Sequence, residues 1–354
     1  MENGQGVMDL ADEWGHEELI FVRDRAAGLR AVIAIHDTTL GPAVGGTRMR
    51  MYPSIEAAAI DALRLSRAMT CKAAMAEMAW GGAKAVIVGD PQRDKTPVLI
   101  AAYADVLNRI GHFHTGADMG IDGGDVAALG RLTKHISQVP AGSSVDAADL
   151  TAIGVVEAMR ATAAAMGANQ GDLRVAIQGL GEVGWRLACR LASEGVRLLV
   201  ADTDGAKVRR AITELGARAV STDSILDVEA DVFSPNAGGG ILNDATIPRL
   251  RCRAIVGAAN EQLAEPRHGD LLHDRGIIYA PDYVVNAGGL LSLLYETGET
   301  DEPGIIARVT RIGRTVATLL ERSETDRLPP HRLADKMVEE KLAAARKILT
   351  SSIA

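Results

Sequence analysis

Short apolar runs bounded by polar residues and turn formers recur along the first part of the chain. Runs of four to eight such residues are typical of buried strands, whereas apolar residues repeated every three or four positions are typical of helices. These patterns predict strands at 19–22, 29–35 and 83–88, a helix that begins after residue 53, and a helix at 98–110. Ser54 is a candidate N-cap of the first helix. The glycine-rich stretch 40–48 predicts a loop whose backbone can approach another group closely.

The pattern changes near residue 145, after which strands and helices alternate. Strands are predicted at 172–178, 197–200, 231–234, 254–256 and 277–280, with helices up to about 194 and at 206–215 and 269–275. Strands that alternate with helices at this spacing favour a parallel, doubly wound sheet, so the fold class is α/β. After Asn286 the remaining chain is predicted to be helical, and its last helix, at about 331–349, is amphipathic.

The composition is that of an ordinary globular protein long enough for two domains. The chain has 354 residues, of which 47% are apolar and 24% charged, and its formal net charge is −8. The sequence has no cluster of basic residues and no apolar run of bilayer length, which argues against nucleic-acid and membrane partners. The N-terminus does not resemble a signal peptide, and the three cysteines match no metal-binding spacing. We therefore expect a cytoplasmic location and no metal site.

Two lysines in apolar surroundings, Lys72 and Lys84, lie in the segment 69–84. An ammonium group among apolar neighbours must be paired with an anion or lose its proton. One of the two lysines could hold a carboxylate, while the other exchanges protons near neutral pH. The alternative is that both are ordinary lysines whose stems lie along apolar surface and whose charged ends reach water.

A glycine-rich turn follows the first strand of the second region and begins a helix, which is the setting of a dinucleotide-binding site. Gly179 would make the tight turn, Gly181 would let the backbone approach a pyrophosphate, and Gly184 would let the helix pack on the sheet. The cofactor would lie against this turn, whose residues are Gly179, Leu180, Gly181, Glu182, Val183 and Gly184. Asp202 ends the next strand and would accept hydrogen bonds from the ribose hydroxyls while repelling a 2′-phosphate. The sequence therefore predicts NAD as the cofactor.

Several motifs occur in a fixed order along the chain. They lie at 41–48, 69–72, 81–86, 89–91, 115–118, 178–181, 257–260 and 280–289. On the basis of these motifs, the chain from about residue 16 to residue 320 resembles the glutamate/leucine/phenylalanine/valine dehydrogenase family. The resemblance implies NAD(P)-linked, reversible oxidative deamination of an amino acid to its 2-oxo acid and ammonia. It also implies a substrate-binding, catalytic domain at 1–145, a Rossmann-type NAD-binding domain at 146–324, an active-site cleft between them, and C-terminal helices at about 325–354 that pack back on the first domain.

The resemblance implies a role for each residue that matches a family motif. Lys72 would bind the substrate carboxylate. Lys72 would be assisted in binding this carboxylate by Gly45, Gly46 and Asn286. Lys84 would activate the water that attacks the imine, and Asp118 would exchange protons with the substrate nitrogen and serve as the counter-charge of Lys84. Further residues that line the cofactor cleft in the family are matched by Thr151, Gly238, Ala258 and Asn260.

The side-chain pocket implied by the resemblance is apolar. Its residues would be Val44, Met69, Gly116, Leu290 and Leu293. Relatives that act on glutamate carry a lysine at the position of Val44, and a distal carboxylate buried here without a partner costs several kcal/mol. An apolar amino acid is therefore expected, and an aromatic substrate such as phenylalanine and a branched one such as valine or leucine both stay open. A tryptophan-acting enzyme and a catalytically weak NAD-sensing homologue are the alternatives.

The residues that depart from the family pattern include Trp80, Ala83, Asn236 and Glu261, and the stretch 142–151 is longer than the family pattern predicts. Trp80 either fills the core or crowds the loop at the active site, and the departures leave substrate identity and rate open. The expected partners are the amino acid, its 2-oxo acid and ammonia, and the protein is expected to be a homo-oligomer.

Overall fold

The computed structural model describes residues 6–137 and 145–353, and the chain divides into two compact units. The first unit comprises Met1–Gly142 and Val338–Ala354, and the second comprises Ser143–Met337. The last helix, Pro330–Ile353, therefore begins in the second unit and ends in the first. Both units combine a sheet with helices, so the predicted α/β class is confirmed.

The first unit contains five strands and four helices before residue 137. In chain order these are α1 Val7–Trp14, β1 Glu18–Asp24, β2 Leu29–Asp37, β3 Ala43–Arg50, α2 Ile55–Met75, β4 Gly81–Val88, α3 Pro97–Ile110, β5 Phe113–Gly116 and α4 Gly123–Gly130. The sheet order is β1-β2-β4-β3-β5, with β3, β4 and β5 parallel. Successive residues of β2 point to opposite faces, and each face packs in an apolar cluster, which explains why β2 is almost wholly buried.

The stretch 40–48 was predicted to be a loop, and this prediction is wrong from Ala43 onward, because those residues form the inner strand β3, whereas residues 40–42 lie outside the strand. Gly45 and Gly46, which suggested a loop, are strand residues at close backbone contacts. A Cβ added at Gly45 would lie 1.7 Å from the carbonyl oxygen of Ala83 on β4. A strand can hold glycine where another backbone approaches it this closely.

The second unit is built on a six-stranded parallel sheet, ordered β11-β10-β9-β6-β7-β8. Its elements are α5 Ala147–Ala165, β6 Arg174–Gln178, α6 Glu182–Ser193, β7 Arg197–Ala201, α7 Gly205–Leu215, β8 Arg218–Ala219, β9 Val232–Pro235, β10 Ala254–Ile255, α8 Arg267–Asp274, β11 Ile278–Tyr279, α9 Asp282–Val285, α10 Gly288–Glu296, α11 Glu302–Asp326 and α12 Pro330–Ile353. Strands spread in both directions from β6, so the predicted doubly wound sheet is confirmed. The turn after β6 lies where the strand order reverses, the usual ligand-binding place of such sheets.

Local signals explain several element ends. The Ser54 side chain accepts a hydrogen bond from the Ala57 N–H at 3.1 Å, so the predicted N-cap of α2 is confirmed. None of the helices in the described part of the chain is long and apolar enough to cross a membrane. The cysteines Cys71, Cys189 and Cys252 form no disulfide with one another.

Candidate active site

The strongest polar feature of the first unit is an ion pair between Lys84 and Asp118. The Lys84 Nζ lies 2.6 Å from the Asp118 Oδ2, and the two side chains are only 8% and 22% exposed. Lys84 comes from the middle of β4, and Asp118 lies in the turn after β5. The Met49 N–H of β3 donates to the Met119 carbonyl at 2.8 Å, which anchors this turn to the sheet. The predicted acid–base pair is thus brought together by three neighbouring parallel strands.

Gly46 provides the room in which this ion pair lies. A Cβ added to Gly46 would lie 3.2 Å from the Lys84 Nζ, 3.0 Å from the Asp118 Cβ and 2.8 Å from the Ala117 carbonyl oxygen. The last distance is shorter than van der Waals contact allows, so a side chain here would displace the turn that carries Asp118. Glycine at this position therefore has a packing reason as well as the predicted role beside the substrate.

Arg48 extends the ion pair into a longer chain of charges that the sequence analysis did not assign. Its Nε lies 3.1 Å from the Asp118 Oδ2, and another guanidinium nitrogen lies 3.1 Å from the Asp61 Oδ2 on α2. The Tyr52 hydroxyl also donates to Asp61, at 2.5 Å. The sequence could have indicated this contact if β3 had been recognised as a strand. Residues two apart on a strand share a face, and Arg48 follows Gly46 by two positions.

The charge state of Asp118 follows from these neighbours. Burial raises the pKa of the Asp118 carboxyl, but the positive charges of Lys84 and Arg48 outweigh burial, and the pKa lies below its ordinary value. Asp118 is therefore a carboxylate at neutral pH. It faces two cations, which leaves it a weak base that readily returns a proton.

Lys72 lies in the last turn of α2 and is partly exposed. This end of α2 packs directly on the first residues of β4, since a Cβ added to Gly82 would lie 2.2 Å from the Thr70 nitrogen. The close approach fixes the lysine-bearing turn relative to the strand that carries Lys84. Trp80, immediately before β4, is 8% exposed and belongs to the buried interior.

The glycine-rich turn in the second unit has the shape that a bound pyrophosphate requires. Gly179 adopts a φ of +93°, which only glycine adopts without strain, and a Cβ on Gly184 would lie 2.1 Å from the Gly179 carbonyl oxygen. A Cβ on Gly181 would meet nothing within 4 Å, so the turn is open there. Helix α6 begins after Gly181 without a side-chain cap, which leaves N–H groups to bind an anion. The residues present fit a dinucleotide.

Asp202 follows β7 and accepts hydrogen bonds from two backbone N–H groups. Leu180 donates to its Oδ2 at 2.6 Å, and Asp204 donates to its Oδ1 at 2.8 Å. Burial raises the pKa of Asp202, but these hydrogen bonds outweigh burial and the pKa lies below its ordinary value. Each carboxylate oxygen has a second lone pair, so Asp202 can still accept from a ribose hydroxyl.

Several of the predicted residues of the second unit meet around Asn286. The Asn286 amide nitrogen donates to the Ala258 carbonyl at 3.1 Å and to the Asn260 side chain at 2.9 Å. Asn236, one of the departures from the family pattern, accepts from the Ala258 N–H at 2.9 Å and so ties the end of β9 to the same loop. The Asn286 Oδ1 is buried and has no hydrogen-bond partner in the described part of the chain. In this orientation the free acceptor suits an N–H donor of a ligand, whereas a carboxylate would need the amide reversed.

The other predicted site residues lie on both units. In the first unit, Val44 is buried on β3, and Met69 and Gly116 are partly exposed on α2 and β5. In the second unit, Leu290 and Leu293 lie on α10, and Gly238 lies in the exposed loop after β9. Thr151 on α5 donates to the Ala147 carbonyl at 2.8 Å.

Three residues of the second unit have the composition of a metal site, namely Asp244, Glu265 and His268. Arg267 already pairs with both carboxylates, donating to Asp244 at 2.8 Å and to Glu265 at 2.7 Å. The His268 Nδ1 accepts from the Glu265 N–H at 2.9 Å, so the ring proton lies on the nitrogen that faces Asp244. The group is therefore a network of ion pairs and hydrogen bonds rather than a set of open ligands.

The sequence matches known proteins over most of its length. Residues 16–138 match the family described as Glu/Leu/Phe/Val dehydrogenase, dimerisation domain, and residues 204–300 match Glutamate/Leucine/Phenylalanine/Valine dehydrogenase. Leucine dehydrogenase of Geobacillus stearothermophilus is 41% identical, with 95% of this chain and 93% of the relative covered. Phenylalanine dehydrogenase of Thermoactinomyces intermedius is 42% identical, with 97% and 96% covered. The solved structure of L-tryptophan dehydrogenase from Nostoc punctiforme superposes with a TM-score of 0.85 at 37% identity, covering 96% of this chain and 99% of that one.

Proposed function

The chain belongs to the glutamate/leucine/phenylalanine/valine dehydrogenase family, and on this basis we propose that it oxidises an apolar L-amino acid with NAD⁺. It is an amino acid dehydrogenase, an oxidoreductase that acts on the CH–NH₂ group of its donor with a nicotinamide cofactor. The observation that carries the proposal for the site is the buried ion pair of Lys84 and Asp118 beside Gly46. The products are the 2-oxo acid and ammonia.

Lys72 and Lys84 divide the work on the substrate. Lys72, at the end of α2, is partly exposed and can hold the substrate carboxylate as a fixed cation. The Gly45–Gly46 backbone assists it, and Asn286 is proposed as a further substrate-binding residue. Lys84 removes a proton from the water that attacks the imine carbon and passes it on as ammonia leaves.

Asp118 handles the proton of the substrate nitrogen. The amino group must be neutral before hydride leaves Cα, and a carboxylate next to it can take that proton and later return it to the leaving ammonia. Its two cationic neighbours keep Asp118 a weak base, which favours the return of this proton to the leaving ammonia. The pair thus combines Lys84, which is a cation when protonated, with Asp118, which is an anion when deprotonated.

The cofactor of the proposed reaction is NAD, which supplies the hydride acceptor when it is bound. The open turn at Gly181 and the uncapped start of α6 support binding of its pyrophosphate. Asp202 supports NAD over NADP, because an ionised carboxylate at the ribose repels a 2′-phosphate. Cofactor contacts therefore come from the second unit and most substrate contacts from the first, which assigns a function to each unit.

The substrate side chain is proposed to be apolar. Val44 is buried, and at Gly116 an added Cβ would approach other atoms no closer than 4.0 Å, so the strand leaves open space there. The relatives named for leucine, phenylalanine and tryptophan support both branched and aromatic side chains as candidates. A distal carboxylate beside Val44 would lose its hydration without gaining a partner. The dimerisation domain named for residues 16–138 supports a homo-oligomer.

A substrate panel tests this proposal. The protein is given valine, leucine, phenylalanine, tryptophan or glutamate at alkaline pH with NAD⁺ or NADP⁺, and kcat/KM is measured from the absorbance of the reduced cofactor. We expect turnover of at least one apolar amino acid with NAD⁺, a kcat/KM for glutamate about 100-fold lower or worse, and a clear preference over NADP⁺. The absence of turnover with all four apolar substrates contradicts the proposal.

The variant Lys84→Ala tests the proposed role of this lysine. It should abolish turnover while NAD⁺ still binds, because the cofactor contacts belong to the second unit. A variant that retains turnover would show that Lys84 does not have the proposed role. If the wild-type protein binds NAD⁺ but oxidises no amino acid, the NAD-sensing alternative replaces the enzyme. Reduction of a 2-oxo acid must also require ammonia, since a hydroxy-acid dehydrogenase would not need it.

A further inference from the structure

Arg48 contacts the Asp118 carboxylate but has no role in the proton transfers proposed for Lys84 and Asp118. Its side chain is 12% exposed, and the partners of its guanidinium include Asp118 and Asp61, each at 3.1 Å. A cation that is desolvated to this degree and placed against a catalytic carboxylate changes the energy of every proton transfer to that group.

The two cations contact Asp118 through the same oxygen. Both the Lys84 Nζ, at 2.6 Å, and the Arg48 Nε, at 3.1 Å, lie against Oδ2, and the Met119 N–H is a further donor to the carboxylate. A carboxylate that is held by several donors keeps a fixed orientation. This is what a group that must meet a substrate nitrogen requires.

Arg48 is itself held in place by Asp61. This carboxylate is 11% exposed and also accepts from the Tyr52 hydroxyl at 2.5 Å and from Arg64 at 3.1 Å. Burial raises the pKa of Asp61, but the hydrogen bond from Tyr52 and the charges of Arg48 and Arg64 outweigh burial and keep the pKa below its ordinary value. Asp61 is thus an anion that fixes Arg48 from α2 while Arg48 reaches Asp118 from β3.

We propose that Arg48 is a positioning residue that keeps Asp118 an oriented carboxylate while the proton of Lys84 comes and goes during the reaction. The inference rests on the proposed function, because it concerns the same ion pair. The cations that the structure shows against Asp118 are Lys84 on β4 and Arg48 on β3. Lys84 must be without its charge before it can act as a base, whereas a guanidinium keeps its charge at every accessible pH. Without Arg48, Asp118 would then lack a cation and would take up a proton itself.

The pH dependence of kcat/KM distinguishes this role from a structural one. Arg48→Gln removes the charge, which makes the Asp118 carboxylate easier to protonate. We expect the acidic limb of the profile for oxidative deamination to move to higher pH by about one unit, with kcat about tenfold lower. Arg64→Gln is the matched control, since Arg64 contacts Asp61 but is 50% exposed. Its profile should coincide with that of the wild type.

Two further variants keep the test decisive. Arg48→Lys retains a positive charge, so its acidic limb should stay close to that of the wild type even if kcat falls. Arg48→Met retains the apolar stem and replaces Arg48→Gln if circular dichroism or NAD⁺ binding shows that the latter is misfolded. Equal positions of the acidic limb in the neutral variant and in the wild type overturn the inference. If instead the wild type oxidises no amino acid of the panel, it is the proposed function that fails.

Discussion

At the scale of single residues, the site depends as much on missing side chains as on charged ones. Gly46 leaves the space between β3 and the Asp118 turn, and Gly45 allows β3 to approach the Ala83 carbonyl. Each would clash with backbone if it carried a Cβ, and backbone cannot rotate away as a flexible side chain can. In the proposed reaction, the lysines and the aspartate therefore supply the chemistry, while the glycines set the distances between these groups.

Gly46→Ala should lower kcat about 10- to 100-fold, because the new methyl group would displace the Asp118 turn by a few tenths of an ångström and misalign the ion pair with the substrate. The measurement is steady-state kinetics with the preferred amino acid, together with NAD⁺ affinity, which should not change.

Gly123→Ala is the control for Gly46→Ala. A Cβ at Gly123, in the first turn of α4, would meet nothing within 4 Å, and its φ lies outside the left-handed region. This variant should retain the activity of the wild type. Unchanged kcat in Gly46→Ala would show that the site tolerates the displaced turn.

At the scale of elements, hydrophobic periodicity predicted most helices and strands, but it failed to predict β3. The stretch 40–48 contains glycines in place of the branched residues that mark a strand, so it was assigned to a loop, although it forms an inner strand. The information that corrects this lies on β4, whose backbone meets Gly45, and that contact is far away in sequence. Arg48 was missed for the same reason, because residues two positions apart, such as Gly46 and Arg48, lie on the same face only in a strand.

The motifs of the candidate site could be found from the sequence because each is local. The turn at Gly179–Gly184 lies directly between a strand and a helix, and its positive φ at Gly179 follows from that setting. The pairing of Lys84 with Asp118, by contrast, was available only through the family resemblance. The contacts of Arg48 with Asp61 and of Asn286 with Asn260 depend on chain segments that only the folded structure brings together.

His36 on β2 links three elements of the first unit and makes their packing sensitive to acid. Its Nε2 donates to the carbonyl of Trp14, the last residue of α1, at 3.0 Å, and its Nδ1 accepts from the Thr70 hydroxyl on α2 at 2.8 Å. Burial, aided by the nearby His16 ring, lowers the pKa of His36 from 6.5 to about 4. The folded protein therefore holds this ring neutral where the unfolded chain would protonate it.

Stability should fall as the pH is lowered from about 6.5 to about 4, because in this window the unfolded chain binds a proton at His36 that the folded chain does not. The loss attributable to this residue reaches about 3 kcal/mol of unfolding free energy at the acidic end, and above pH 6.5 its contribution is constant. Urea unfolding of the wild type and of His36→Gln at several pH values measures it. The variant should be less stable at pH 7 and lose less stability on acidification, and parallel curves would contradict the assignment.

At the scale of the whole molecule, the chain crosses between its two units twice, and the second crossing lies within the continuous helix α12. The part of this helix that belongs to the first unit is held by polar contacts. The Lys341 Nζ donates to the Ala74 carbonyl at 2.8 Å, next to the turn of α2 that carries Lys72, and Arg346 pairs with Asp37 at the end of β2. The C-terminal segment thus supports α2, which carries Lys72, and the end of β2, which pairs with β4 at Gly82.

Arg346→Gln should reduce the unfolding free energy by about 1–3 kcal/mol, because Asp37, whose side chain is 3% exposed, would lose its charged partner. Asp37 also accepts from the Thr39 N–H at 2.8 Å, which limits the loss. The double variant Asp37→Asn/Arg346→Gln should recover part of it, since a neutral amide is easier to bury than an unpaired carboxylate. Urea denaturation of both single variants and the double variant completes the cycle, with NAD⁺ binding as the readout of the second unit. Strictly additive losses would show that the two side chains do not interact, and the last helix would then be held by its other contacts, such as that of Lys341 with Ala74.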